Sequence, residues 1–210
     1  MTNPFTDITE KNKQKLLRLL DADILNFNEN TNIPKSIIDN NSIGIVVEGY
    51  IQIIRINYNG TNALIEELQD NDVFGSSISY LKSSDYIATA KENTKLILID
   101  LNSIINFKEN SKSYYNQFIK NLFLILNEKM QDKNRRIQIL TRRTIRNKLL
   151  EYFNLTSKGT GSKNIYLPFS FIALADYLAV DRSALSREIK YLKEEGFIDV
   201  KGKRITLLYK

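Results

Sequence analysis

The side chains best spaced to do chemistry lie between positions 170 and 208. Ser183, Ser186, Arg187 and Lys190 recur at i, i+3, i+4 and i+7, so a helix would gather them on one face. Leu185, Ile189 and Leu192 would lie on the opposite face, against a core. Arg182 enters at the start of the same helix. A guanidinium can fork onto guanine, a hydroxyl can bond a base or a phosphate, and an ammonium neutralises phosphate. Such a face suits the major groove of DNA. A solvated amphipathic helix would show the same alternation, so the surrounding elements must decide.

Those elements support the groove. Pro168 precedes Ser170, a good N-cap, and Ile172, Leu174 and Leu178 give a first helix its apolar side. Ala175 is small enough for a close helix crossing, Ala179-Val180 makes a short connection, and Asp181 caps the helix that carries Arg182. Gly196 ends it. Phe197 to Leu208 then alternates around Lys201-Gly-Lys-Arg204, as a two-stranded wing does, with Lys203 at the turn. Two helices across so short a turn, followed by a basic hairpin, form a winged helix-turn-helix pattern.

Other chemistry is largely excluded. The chain has no histidine and no cysteine, which removes imidazole and thiolate metal sites, haem ligation by those residues, disulfides and triad hydrolysis. No cofactor is expected. The best enzyme material, Glu66-Glu67 and Glu194-Glu195, puts adjacent carboxylates on different sides of a strand or helix, so the chain is not expected to be an enzyme. Ser157 to Asn164 reads as a polar loop; its Gly161-Ser-Lys163 lacks the glycine spacing of a phosphate loop. Charge agrees with a nucleic-acid partner. Residues 1–110 hold 10 Lys+Arg against 15 Asp+Glu, a net −5, whereas 111–210 hold 20 against 9, a net +11. Clustered cations gain from a polyanion through counterion release.

Three segments are expected: 1–110, 111–140 and 141–210. Thr9 can cap a short helix whose apolar side is Leu16, Leu17, Leu19, Leu20 and Ile24. Short β segments follow, at about 43–47, 50–56, 61–68, 73–75, 86–91 and 95–100, separated by turn residues such as Asn57-Tyr-Asn-Gly60; they read as a β sandwich or roll. From Lys112 to Leu140 the period is helical, a span of about 43 Å. Ile119, Phe123, Leu126, Met130, Ile137 and Leu140 form a coiled-coil-type seam for a partner helix, while Phe118, Leu122 and Ile125 can pack on the β segment. A further helix, Thr144 to Phe153, turns Ile145, Leu149, Leu150 and Phe153 inward. No apolar run is long enough to span a membrane and no signal peptide is evident, so no membrane partner and a cytoplasmic location are expected.

Val180-Asp-Arg-Ser-Ala-Leu-Ser-Arg187 resembles the recognition element of the Crp/Fnr transcription regulators. The order of segments, and Gly49, Gly60 and Phe74-Gly75, fit the same family. The resemblance implies an α+β fold: a β-roll like a cyclic-nucleotide-binding domain, a long dimerisation helix and a C-terminal winged helix-turn-helix. It implies a homodimer on an inverted-repeat operator in double-stranded DNA, with RNA polymerase as a further candidate partner. Arg182 and Arg187 would make arginine contacts, Ser186 would fill a serine or glycine place, and Ser170 and Lys203 would meet phosphates. Ser183 stands where the family usually has a base-reading glutamate, which removes an acceptor for cytosine.

The resemblance also locates a degenerate ligand cassette. Phe74-Gly75 is followed by Ser76 where cyclic-nucleotide binders have glutamate, and Ser84 and Asp85 align with their arginine and hydroxyl. A carboxylate at a phosphate seat would repel the ligand, so cyclic nucleotides are not expected to be effectors. The alternative for the whole chain is a ligand-sensing β-roll module whose basic half binds a protein or nonspecific nucleic acid.

Overall fold

The computed structural model describes residues 3–38, 41–56, 62–75, 86–168 and 170–209. They form two compact units, Met1–Glu128 and Lys129–Lys210, so the division falls within a long helix.

The first unit opens with α1 (Glu10–Leu19), capped by the Thr9 hydroxyl, which accepts from the Asn12 amide. There follow β1 (Asp23–Phe27), β2 (Asn32–Ile33), the short α2 (Lys35–Ile38), β3 (Ser42–Glu48), β4 (Ile51–Ile56), β5 (Asn62–Leu68), β6 (Val73–Gly75), β7 (Tyr86–Ala90), β8 (Thr94–Asp100) and α3 (Leu101–Ile105). Two four-stranded antiparallel sheets result, ordered β1-β8-β3-β6 and β2-β7-β4-β5. Strand β3 is buried on both faces. Ile43 and Ile45 pack with Val73, Phe118, Leu122 and Ile125, while Val46 packs with Phe74, Leu96 and the second sheet's Ile51 and Ile53. Gly44 is required in the middle: a Cβ there would stand 2.2 Å from the Phe74 ring.

The long helix α4 (Ser113–Leu140) carries the two expected stripes. Phe118, Leu122 and Ile125 are buried in the first unit's core. On the other stripe Phe123, Met130 and Ile137 are 70%, 58% and 59% exposed, while Ile119, Leu126 and Leu140 are half-buried. Buried Asn121 ties the N-terminal segment to α4, donating to the carbonyls of Pro4 at 3.1 Å and Thr6 at 2.8 Å.

The second unit contains the end of α4, then α5 (Ile145–Thr160), β9 (Asn164–Tyr166), α6 (Phe171–Leu178), α7 (Arg182–Glu194), β10 (Ile198–Lys201) and β11 (Arg204–Leu207). A three-stranded antiparallel sheet, β10-β11-β9, closes one side of a core built from Leu149, Phe153, Leu174, Leu185, Leu192 and Ile205.

Four expectations from the sequence are corrected. Ile24 lies on β1, not on the first helix, because α1 stops at Leu19 and Asp21 takes the left-handed conformation, with φ 51°. Leu19 faces outward, the core being met by buried Leu16, half-buried Leu17 and the C-cap Leu20. The helix after Thr144 continues to Thr160, where Gly161 in the left-handed conformation ends it, so the loop shrinks to 161–163. Ile172 is 55% exposed and does not enter the core, a place filled by Leu174, Ala175 and Leu178.

Candidate nucleic-acid interface

Helix α7 is held at its buried face and both ends. Asp181 is its N-cap, accepting from the Ala184 amide at 2.9 Å. Leu185, Ile189 and Leu192 enter the core. At the far end Arg146, from the first turn of α5, pairs with Glu195 and lies 3.7 Å from Glu188, its guanidinium 5.1 Å from the Phe197 ring centroid. These contacts raise the Arg146 pKa and lower that of Glu195. Helix α6 is fixed likewise: the Ser170 hydroxyl accepts from the Ala173 amide at 3.3 Å, and Lys148 donates to the Leu178 carbonyl at 3.0 Å. Between α6 and α7 the chain turns at Ala179, with φ 50° and ψ 58°. A side chain there is strained by about 1 kcal/mol or more.

The outer face of α7 presents Arg182, Ser183, Ser186, Arg187 and Lys190 together, all exposed. Their hydrogen-bonding states differ. Arg187 and Ser186 make no hydrogen bond or ion pair among the described residues. Arg182 is held through one terminal nitrogen by Asp176 of α6, at 3.2 and 3.4 Å, leaving its other N–H groups available. Ser183 donates to the Asp181 carboxylate at 2.6 Å. That bond, then the Ala184 amide, holds the Asp181 carboxyl below its ordinary range, so it is ionised at neutral pH. Lys190 lies 3.7 Å from Glu194, an exposed i,i+4 pair of little strength.

On the wing, Gly202 at φ 60° allows the tight turn between β10 and β11, and Lys203 is exposed at its tip. The Lys203 carbonyl accepts from the Leu167 amide at 2.9 Å, which ties the turn to the strand leading into α6. Exposed Arg204 stands opposite Tyr166 in the β11–β9 register. A cleft of about 260 Å³ separates α6 from α7, lined by Phe171, Ile172, Leu185 and Ile189 with Arg182 and Ser186.

All seven residues expected to face DNA therefore lie in the second unit, Ser170, Arg182, Ser183, Ser186, Arg187 and Lys190 on the helix pair and Lys203 on the wing. Sequence reasoning missed Asp176 as a partner of Arg182. The two are six residues apart across a turn, and only an exposed carboxylate on α6 hinted at the contact. Of the expected ligand cassette, Phe74 is buried in the β-roll core and Gly75 ends β6, whereas Ser76, Ser84 and Asp85 lie outside the described residues. No group of three or more acidic side chains that could hold a metal ion occurs among the described residues, and no helix among them is long and apolar enough to cross a membrane.

Residues 145–209 match the Crp-like helix-turn-helix domain. Nearly the whole chain is similar in fold to CprK complexed with OCPA, at 20% identity and a TM-score of 0.65, covering 92% of this chain and 89% of that one. It is similar to a CooA mutant from Carboxydothermus hydrogenoformans, at 16% identity and a TM-score of 0.60, covering 96% and 93%. The c-di-GMP responsive global regulator CLP from Xanthomonas campestris gives 16% identity and a TM-score of 0.55, covering 94% and 100%. No curated protein sequence matches the chain.

Proposed function

We propose that this chain, which has the Crp/Fnr fold and carries a Crp-like helix-turn-helix domain, is a transcription regulator that binds DNA sequence-specifically as a homodimer. One observation carries the reading: α7 is clamped at its inner face and ends, yet holds two arginines, two serines and a lysine exposed on its outer face. A helix so held can enter a groove without losing further conformational freedom, and its side chains match base edges and phosphates.

Arg182 and Arg187 are the base readers, Ser183 and Ser186 lie beside them, and Lys190, Lys203 and Ser170 meet phosphates. Ser170 accepts from the Ala173 amide through one lone pair and keeps its hydroxyl proton for a phosphate oxygen. The exposed part of the α4 stripe, with Phe123, Met130 and Ile137, is the dimer seam, joined by Ile119, Leu126 and Leu140. The β-roll is a sensor that does not take cyclic nucleotides, the site of action is the cytoplasm, and RNA polymerase is a further partner.

Binding of each variant to a library of single-base operator variants, at two salt concentrations, tests the division of labour. Arg182→Ala and Arg187→Ala should each lose about 1–3 kcal/mol and relax one base pair per half-site. Lys203→Ala should weaken all sequences alike and reduce the salt slope by about one. Equal weakening of every sequence by the arginine variants would make those residues phosphate clamps.

A further inference from the structure

A serine hydroxyl facing a base edge is ambiguous, because it can donate one proton or accept through its lone pairs. In this molecule the ambiguity is removed at Ser183. Its Oγ lies 2.6 Å from Oδ1 of Asp181, and an ionised carboxylate has no proton to give, so the serine donates. The carboxylate cannot easily turn away. The same Oδ1 caps α7 by accepting from the Ala184 amide at 2.9 Å, at the helix end where negative charge is favoured.

We infer that Ser183 is an acceptor-only reader, and that within the base pair it faces it contacts the exocyclic amine, of cytosine or adenine, and not an acceptor atom. This rests on the reading of α7 as the recognition helix. Cytosine N4 and adenine N6 are the groove's donors, whereas thymine O4 and guanine O6 and N7 are acceptors. To meet an acceptor, Ser183 would have to withdraw its proton from Asp181 and break a charge-assisted bond. To meet an amine it keeps that bond, and a hydroxyl polarised by a carboxylate accepts more strongly, so the position retains an acceptor although the glutamate carboxylate is gone, contrary to the expectation from the sequence. Asp181 is thus a positioning residue as well as a cap: it touches no base and sets the polarity of the side chain that does.

The test begins with an operator obtained by selection, in which the base pair facing Ser183 is the one whose preference changes in Ser183→Ala but not in Arg182→Ala or Arg187→Ala. Every base pair carries one major-groove amine, on cytosine or on adenine, so the readout is loss of that amine and not the identity of the pair. Replacing the amine-bearing base of the pair, cytosine by 2-pyrimidinone or adenine by purine, should weaken the wild type about 5-fold and leave Ser183→Ala unaffected. Asp181→Asn keeps a capping oxygen but removes the charge; it should lower discrimination at that base pair about 2-fold with little change in melting temperature. Indifference of the wild type to loss of the amine overturns the inference. If Ser183→Ala alters no base preference while the arginine variants do, the inference fails and the recognition helix stands; if selection yields no fixed operator, the recognition helix itself fails.

Discussion

Phe123→Ala separates assembly from folding. The side chain is 70% exposed in the single chain. Burying a phenylalanine removes about 200 Å² from water, so roughly 140 Å² of this one remains for a partner to cover. At about 25 cal/mol per Å² that is about 3.5 kcal/mol per side chain, and a symmetric seam contains two. Association recovers only part of such area, yet even half of the total is about 3.5 kcal/mol, more than a hundredfold in the dimer dissociation constant. The same truncation should barely change the stability of the isolated chain, because little contact is lost within it. Leu122→Ala, one position away and buried in the first unit, should do the reverse, costing about 2–5 kcal/mol in unfolding. Sedimentation equilibrium and urea unfolding on both variants measure the two quantities. A wild type that is monomeric at micromolar concentration, or a Phe123→Ala dimer of unchanged affinity, would refute the seam.

Asp176→Asn should raise affinity for nonspecific DNA, by removing a negative charge beside the phosphates, and should reduce discrimination at the Arg182 base, measured against the single-base library. It should leave the melting temperature nearly unchanged, since the pair is exposed. Ala179→Gly should stabilise the fold by about 0.5 kcal/mol in urea unfolding, the relieved left-handed strain slightly exceeding the added unfolded-chain entropy. Arg146 holds the Glu195 carboxyl below its ordinary range, so the pair's contribution is complete above the unfolded carboxylate pKa and is lost as pH falls through the lowered folded value. Arg146→Gln should therefore flatten the acid side of the stability–pH curve, followed by thermal melts at falling pH. Calorimetry with cyclic AMP and cyclic GMP should show no saturable binding, as Ser76, Ser84 and Asp85 imply.

The second unit was legible in the sequence because each local signal agreed with the next. Ser170 and Asp181 cap, Leu174, Leu178, Leu185, Ile189 and Leu192 enter one core, and Gly202 turns the wing. The face opposite that core was therefore fixed by helical period alone. What could not be read was contact between residues distant along the helix pair. The Arg182–Asp176 pair depends on the angle at which α6 meets α7, and the direction of the Ser183 hydroxyl depends on the rotamer of its cap. The two-residue β2, the strand β1 containing Ile24 and the last two turns of α5 were also missed. Strands of two and five residues carry too few positions to display a period beside a helical one, and Ser157-Lys-Gly-Thr160 has loop composition but is helical in the turns after the buried Phe153.

The central claim, that a dimer of this chain reads a defined DNA sequence through α7, is tested most directly by in vitro selection from random duplexes with the full chain, repeated with Arg187→Ala. The account predicts enrichment of an inverted repeat whose half-site centres lie about 34 Å apart, with one base pair in each half-site losing its preference in the variant. Recovery of no common sequence, or of the same sequence with undiminished preference by the variant, would contradict it.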